Sequence, residues 1–238
     1  MSSREDETLA RAAVAAVAAL IRQLELMPKP GLPDPRDLGA RITRQDHRAL
    51  RWSAKALVPG LTATAACARR HGAATPELRA ELGSIGRCTE HSTRLAGGGH
   101  RGATWVLGLL VAAAAMDPGA RGRELAAIAK KIAAHPDRRA PRRPSRGSSV
   151  SAKYRAAGAR GEARAGFPHV RRALDVLAKA RTAGTPEADA RLDALLTVMS
   201  TLQGGSSGAG VSPRGSGALL AGALFVDALP VAAARGAA

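Results

Sequence analysis

The chain has 238 residues, with 36 Lys and Arg against 19 Asp and Glu, so its formal net charge at pH 7 is +17. Hydrophobic residues make up 45% but aromatic residues only 2%, which excludes a disordered chain and predicts a thin, alanine-rich core. The charge favours an anionic ligand, whether nucleic acid, an anionic membrane surface or a molecule with several phosphates. An arginine-rich composition by itself also accounts for the charge.

The cysteines and the termini indicate a cytoplasmic protein. Cys67 and Cys88 form neither a CxxC pair nor a disulfide framework, which favours a reduced compartment and argues against a structural zinc site. Residues 5–7 are acidic, unlike the start of a signal or transit peptide. The longest uncharged apolar run, residues 105–116, is shorter than the ~20 residues that a membrane span needs.

Helical periodicity recurs along the chain without strand-like alternation, so we predict an all-α fold, a single-domain helical bundle over residues 1–238. Thr8 and Thr75 are predicted N-caps, and residues 103–116 should form a buried helix because they are apolar on every side. The predicted helices cover, in chain order, residues 8–27, residues 46–58, a stretch after Pro59, one after Thr75, residues 103–116, residues 117–134, one from Ser151, one around residues 192–199 and one after Pro213. In the helix around residues 192–199, a single stripe is predicted to face the core: Leu192, Leu195, Leu196, Val198 and Met199.

Two segments are predicted to be irregular. Residues 135–150 combine prolines with dense positive charge, which predicts a mobile basic loop that either touches phosphates or is a solvated connector. Residues 203–211 have the composition of a Gly/Ser linker before the last helix.

The first two of three loop-to-helix junctions are candidate phosphate sites. The proline-stiffened segment 28–34 keeps Lys29 and Asp34 close together and can hold a phosphate or a metal-bound phosphate. Proline turns are common after helices, so an ordinary turn is the competing interpretation. Three glycines precede His100, Arg101 and Gly102 at the start of the buried helix, where free N–H groups and the helix dipole attract anions. This segment is neither a Walker A loop nor a Rossmann fingerprint, and a glycine-rich helix end with an ordinary turn explains it equally well.

The third junction is the charged, glycine-punctuated stretch at residues 158–168. Arg160 there suits bidentate phosphate binding and Glu162 suits orientation of the ligand, although an internal ion pair is an equally good interpretation.

In this order, the segments resemble the triphosphoribosyl-dephospho-CoA synthase family, most closely its malonate decarboxylase branch. The resemblance runs from about residue 9 to residue 229. The residues that carry it are Leu26-Met27-Pro28-Lys29-Pro30-Gly31-Leu32 with Asp34, Gly39-Ala40, His100-Arg101-Gly102-Ala103 with Trp105 and Leu107-Gly108-Leu109-Leu110, residues 158–170, and Ser212-Pro213 with Gly215-Ser216 and Leu219-Leu220-Ala221.

The resemblance implies a reaction in which the 2′-hydroxyl of dephospho-CoA attacks the ribose carbon of ATP that bears adenine. It implies ATP and dephospho-CoA as substrates, magnesium as the metal, and a prosthetic-group transferase or acyl-carrier subunit acting next. At matching positions it implies catalytic roles for Asp34, His100 and Glu162. It likewise implies substrate-binding roles for Lys29, Arg101, Gly102 and Arg160, with no metal ligands assigned.

Departures from the family pattern predict impaired activity. The chain has Gln23 where the family has glutamate, Arg41 where it has histidine, and Arg44-Gln45-Asp46 in place of an Asp-x-Asp pair. Gly98-Gly99 replaces Asn-Thr, and a Gly/Ser segment follows Leu202 where the family continues with further motifs. Fewer carboxylates mean fewer ligands for a hard cation and fewer bases for a hydroxyl. The alternatives are a non-catalytic relative that binds phosphorylated ligands, and a basic helical nucleic-acid-binding protein using residues 138–146.

Overall fold

A computed structural model describes residues 3–29, 44–141, 158–204 and 213–230. All regular secondary structure in these ranges is helical and surrounds one core, which confirms the all-α, single-domain prediction. The helices are α1 Ser3–Glu25, α2 Arg44–Lys55, α3 Val58–His71, α4 Pro76–Leu95, α5 Arg101–Met116, α6 Gly122–Ala134, α7 Gly158–Arg164, α8 Pro168–Thr182, α9 Glu187–Gly204 and α10 Pro213–Asp227.

The central helix is α5, because its sequence offers an apolar side chain in every direction. It packs against α1, α3, α4, α6, α7 and α10. Leu107 and Val111 on it are fully buried, as the predicted buried helix at residues 103–116 requires. Small alanines on the same helix let its neighbours approach closely, which suits a core with few aromatic side chains.

Helix α10 runs parallel to α5. A Cβ on Gly102 would lie 3.4 Å from the Cβ of Ala218, and one on Gly222 would lie 2.7 Å from Val106 Cγ1. From the first contact to the second, the position moves four residues forward on α5, from Gly102 to Val106, and four residues forward on α10, from Ala218 to Gly222. Only parallel helices allow both positions to move forward together. The N-terminal ends of α5 and α10 therefore lie at the same end of the bundle.

The C-terminal end of α1 joins this end of the bundle, because the Gln23 side chain packs directly over Gly217 of α10. At its other end, α1 begins at Ser3, so the prediction that Thr8 caps it is wrong. Acidic residues at positions 5–7 favour the earlier start, because negative charge near a helix N-terminus interacts favourably with the helix dipole.

The start predicted for α6 is also wrong. Asp117 Oδ1 accepts a hydrogen bond from Gly119 N at 2.9 Å and so closes a tight turn, and α6 begins only at Gly122. The cap predicted at Thr75 is confirmed, since its Oγ1 accepts a hydrogen bond from a backbone N–H three residues later at 3.1 Å. Leu196, predicted to face the core, is exposed on α9.

Asp137, in the segment after α6, ties this segment to α4. Its Oδ2 accepts a hydrogen bond from Arg87 Nη1 at 2.7 Å and lies 3.9 Å from Arg79 Nη1. Gly83, one turn from each arginine on α4, leaves the space that the carboxylate fills. The beginning of the predicted basic loop is therefore anchored, while residues 142–150 lie outside the described ranges.

The predicted linker at residues 203–211 also falls mostly outside the described ranges, and α9 extends through its first two positions to Gly204. Within the part of the chain that the structure describes, no helix is both long and apolar enough to cross a membrane.

Candidate functional site

The C-terminal end of α1, helix α2 and the N-terminal ends of α5 and α10 meet at one end of the bundle, and we call this region the helix-end cleft. Gln23 of α1 contacts Gly217 of α10, and Gly102 of α5 lies against the neighbouring residue of α10. Helix α2 closes the ring by packing on α1 and by hydrogen bonding to His100, which precedes α5. Two of the three predicted junctions contribute to this cleft.

Lys29 is buried beside the C-terminal end of α1. Its Nζ donates a hydrogen bond to the Leu24 carbonyl at 2.5 Å, and the His47 Nε2–H of α2 donates to the same oxygen at 2.7 Å. Cationic donors suit the last carbonyls of a helix because these carry partial negative charge. Lys29, which is predicted to bind phosphate, is thus held at the border of the cleft by a hydrogen bond to the helix that precedes it. Asp34 lies outside the described residues.

His100 is buried between the glycine-rich loop and α2. Its Nε2 lies 3.0 Å from the Leu50 carbonyl and 2.9 Å from Ser53 Oγ. A carbonyl only accepts hydrogen bonds, so Nε2 carries the proton and Nδ1 is the basic nitrogen. Burial lowers the pKa of His100, with the Leu50 hydrogen bond opposing this, so the ring is neutral near pH 7.

Gly98 explains how the loop before His100 passes so close to α2. A Cβ at this position would collide with Ser53 Oγ, so only glycine leaves room for the hydroxyl that contacts the imidazole. At Gly98 the missing side chain therefore allows close approach to the protein itself.

The N-terminal turns of α5 and α10 supply backbone N–H groups that have no partner within their own helices. Arg101 and Gly102 in the first turn of α5 are exposed, and Arg101 Nε lies 3.5 Å from Glu90 Oε1. An exposed pair at this distance is weak, so the guanidinium can turn toward an anion. Two parallel helix N-termini with a lysine and an arginine beside them form an anion-binding arrangement.

Beside the cleft, Trp105 lies one turn along α5 from Arg101 and is flanked by two arginines. The guanidinium carbons of Arg79 and Arg160 lie 4.6 and 5.7 Å from the ring centroid, and Trp105 Nε1 donates to the Ala159 carbonyl at 3.1 Å. The structure therefore brings Arg160 of the third junction to the tryptophan. We call Arg79, Trp105 and Arg160 the arginine–tryptophan cluster.

Arg79 is the buried member of this cluster and was missed by sequence reasoning. Its Nε is buried without a hydrogen bond. Burial lowers the pKa of Arg79, Asp137 opposes this, and the charge of Arg160 adds to the lowering. Among the described residues, the cluster therefore has more positive charge than the neighbouring Asp137 carboxylate neutralises. Arg160 is exposed, so its charge is accessible from solvent. Arg79 and Trp105 lie on different helices, so local spacing does not predict their contact.

Glu162 does not join Arg160. Its two carboxylate oxygens accept hydrogen bonds from the His169 backbone N–H at 2.8 Å and from His169 Nδ1–H at 2.7 Å. The buried carboxylate thus satisfies a backbone donor in the first turn of α8, which is a capping role. The predicted junction at residues 158–168 contains α7 and the left-handed residue Phe167, with φ 52°, before Pro168 begins α8.

The described residues do not form a magnesium site in the helix-end cleft. Glu25 and Glu90 are nearby, but they lie 2.6 Å from Arg51 Nη2 and 3.5 Å from Arg101 Nε, respectively. Magnesium prefers several oxygen ligands in near-octahedral geometry. Within the described ranges, the group of three close potential metal ligands includes a thiol and lies on α3 and α4.

The fold and the cleft define a helical protein in which cationic side chains and the N-terminal ends of two helices lie at one end of the bundle. The chain belongs to the ATP:dephospho-CoA triphosphoribosyl transferase family, CitG, which it matches over residues 9–203.

Similar proteins are named probable 2-(5′′-triphosphoribosyl)-3′-dephosphocoenzyme-A synthase. The one from Azotobacter vinelandii is 43% identical over 194 residues, which cover 79% of this chain and 66% of the relative. The Pseudomonas aeruginosa protein is 45% identical over 193 residues, 79% of this chain and 65% of the relative. The Pseudomonas putida protein is 40% identical over 220 residues, 88% and 78% respectively. The chain thus spans just under two thirds of the first two relatives, and no solved structure matches it.

Proposed function

We propose that the chain transfers the triphosphoribosyl group of ATP to the 2′-hydroxyl of 3′-dephospho-CoA and releases adenine. The product would be the prosthetic-group precursor for malonate decarboxylase, passed on to a prosthetic-group transferase. The observation that carries the proposal is that the parallel helices α5 and α10 begin at the same end of the bundle, at Arg101 and Pro213, with Lys29 at the border of the same cleft. Family membership supplies the reaction, and the cleft supplies groups that suit its anionic substrates.

In this reaction the C–N bond between ribose and adenine breaks and a C–O bond to the dephospho-CoA ribose forms. The hydroxyl proton leaves the attacking oxygen, and the departing adenine gains a proton. The ribose carbon becomes positively charged in the transition state, so the protein must hold the triphosphate in place and assist both proton movements. Helix N-termini and cationic side chains are suited to the triphosphate because they are already oriented.

His100 is suited to accept the proton of the hydroxyl. Its ring is neutral because burial lowers its pKa, and Nε2 is engaged with Leu50 and Ser53, so Nδ1 has the available lone pair. Ser53 is then a positioning residue that fixes the ring orientation.

The arginine–tryptophan cluster provides a second place for phosphate groups. Arg160 lies over the Trp105 ring and is exposed, whereas Arg79, which also contacts the ring, is buried and held in place. Because Arg101 and Trp105 are one turn apart on α5, a ligand with several phosphates can contact the cleft and the cluster together.

We infer that the reaction is slower than in a family member that keeps the full set of carboxylates. Glu162 is engaged by His169, and Glu90 is close to Arg101. Cationic side chains whose neighbouring carboxylates are already paired also suit the second candidate function, a non-catalytic relative that binds phosphorylated ligands. Magnesium remains a prediction and is expected with ATP as substrate.

Chromatographic detection of adenine, after incubation with ATP, magnesium and dephospho-CoA, tests the proposal. We expect slow release that Lys29→Ala and His100→Ala abolish, while Lys131→Ala, an exposed lysine on α6, leaves it unchanged. No release, with a melting temperature raised by ATP, would support the non-catalytic relative. No release and no stabilisation would refute both, and tight, salt-sensitive binding to duplex DNA would then favour a nucleic-acid partner.

A further inference from the structure

Three side chains with different donor atoms meet on the hairpin of α3 and α4, away from the helix-end cleft. Cys67 Sγ, a ring nitrogen of His71 and a carboxylate oxygen of Glu81 all lie within 4.8 Å of one another. His71 Nε2 and Glu81 Oε2 are 3.0 Å apart. Cys67 and His71 share one face of α3 because they are four residues apart.

The donor set is typical of a borderline divalent cation. Zinc is bound by thiolate, imidazole and carboxylate in tetrahedral sites, and three protein ligands leave the fourth position for water. A thiolate and a carboxylate would together neutralise the charge of such an ion. We propose that Cys67, His71 and Glu81 bind one zinc-class divalent cation and join α3 to α4.

The geometry needs only local adjustment. Bonds of 2.0–2.3 Å in a tetrahedron place ligand atoms roughly 3.5 Å apart, against separations of up to 4.8 Å here. A metal would replace the proton shared by His71 and Glu81. Cys67 is buried and forms the floor, while the partly exposed His71 and Glu81 side chains leave an entrance from solvent.

Two surrounding features support the site. Arg70 Nη2 donates to Glu81 Oε1 at 2.5 Å, which leaves Oε2 to face the imidazole and holds the carboxylate in the way that outer partners of metal ligands do. Cys67 and His71 also lie in the last turns of α3, which ends at His71. The carbonyls at a helix C-terminus favour a cation.

This site is separate from the proposed transferase chemistry. Glu81 is 14 residues before Leu95, the last residue of α4, so it lies about 20 Å along that helix from the loop that leads to His100. The cysteine spacing alone argued against structural zinc, since Cys67 and Cys88 form no pair. The structure gives Cys67 different partners.

Cobalt(II) added to metal-free protein tests the proposal, because it reports its ligands spectroscopically. We expect one cobalt ion per chain, a thiolate-to-cobalt charge-transfer band in the near ultraviolet and visible bands of tetrahedral intensity, all displaced by zinc. Cys67→Ser should remove the charge-transfer band, whereas Cys88→Ser, which changes the exposed cysteine, should keep it. Arg70→Gln should weaken cobalt binding by about tenfold.

His71→Ala and Glu81→Gln, at partly exposed positions, keep the test valid if Cys67→Ser does not fold. Each should weaken cobalt binding, and zinc should raise the melting temperature of the unaltered chain more than that of either variant. The proposal is overturned if no tetrahedral bands appear, or if the charge-transfer band survives Cys67→Ser or disappears in Cys88→Ser. Adenine release does not enter these measurements, so the site and the proposed function fail independently.

Discussion

Asp137→Asn tests whether one carboxylate holds the segment after α6 onto α4. The substitution keeps the shape of the side chain and an oxygen that can accept the hydrogen bond from Arg139 N, now 3.0 Å from Asp137 Oδ1. It removes the negative charge that faces Arg79 and Arg87, and the amide NH2 that replaces Oδ2 no longer accepts the hydrogen bond from Arg87. Any loss of stability therefore reports on the ion pairs with these two arginines.

The expected magnitude follows from the burial of the partners. The Asp137 and Arg79 side chains are 9% and 5% exposed, whereas Arg87 is 34% exposed. Removing one partner of a buried ion pair costs about 3–5 kcal/mol, because the other charge stays buried without compensation. Water can reach Arg87, so we expect a loss near the lower limit, about 3 kcal/mol in the free energy of unfolding.

Urea denaturation followed by circular dichroism measures this loss. The matched control is Glu7→Gln, which removes a carboxylate that is 60% exposed and 2.6 Å from Arg11 Nη2. An exposed pair contributes less than about 1 kcal/mol. A second variant that combines Asp137→Asn with Arg79→Met removes the buried charge as well and should recover part of the loss. Equal losses in Asp137→Asn and Glu7→Gln, or no recovery in the double variant, would refute the reasoning.

Three further predictions concern packing, pH and capping. Gly222→Ala should push α5 and α10 apart, because the new Cβ would lie 2.7 Å from Val106 Cγ1. We expect the free energy of unfolding, measured by urea denaturation, to fall by about 1–3 kcal/mol. An unchanged denaturation midpoint would contradict the close packing. Hydrogen bonds from Arg181 lower the pKa of Glu187 to about 2 from 4.5, so the stabilisation by Glu187 is present above pH 4.5 and is lost as pH falls through about 2. Across this pH range, the melting temperature should fall more for the unaltered chain than for Glu187→Gln. Parallel melting curves for the two proteins would contradict this prediction. Thr75→Ala should cost about 1 kcal/mol by the same denaturation assay, and no loss would show that the cap is dispensable.

The local sequence predicted most of the helices because their signals are local. The apolar character of residues 103–116 on every side identified the central helix, and Thr75 followed by proline and glutamate identified the start of α4. The starts of α1 and α6 were missed for an equally local reason. At Asp117 the side chain closes a turn instead of capping a helix, and both uses need the same residue type.

Sequence reasoning placed Glu162 beside Arg160 because they are two residues apart, yet the structure pairs Glu162 with His169 and Arg160 with Trp105. Residues two apart on a helix point in different directions, so α7 separates the two side chains. Once the stretch is known to be helical, this outcome follows from helix geometry.

The sequence by itself determined the helices, the positive charge and the positions of Lys29 and His100 at helix ends, since these depend on residue order and local backbone geometry. Only the tertiary structure decided that α5 and α10 run parallel, that Arg79 stacks on Trp105, and which side chains surround Cys67. Such contacts join residues far apart in the chain, and they depend on small residues such as Gly222 that let two particular helix surfaces meet. Helical periodicity shows which face of a helix is buried, but it does not show which other helix that face will contact.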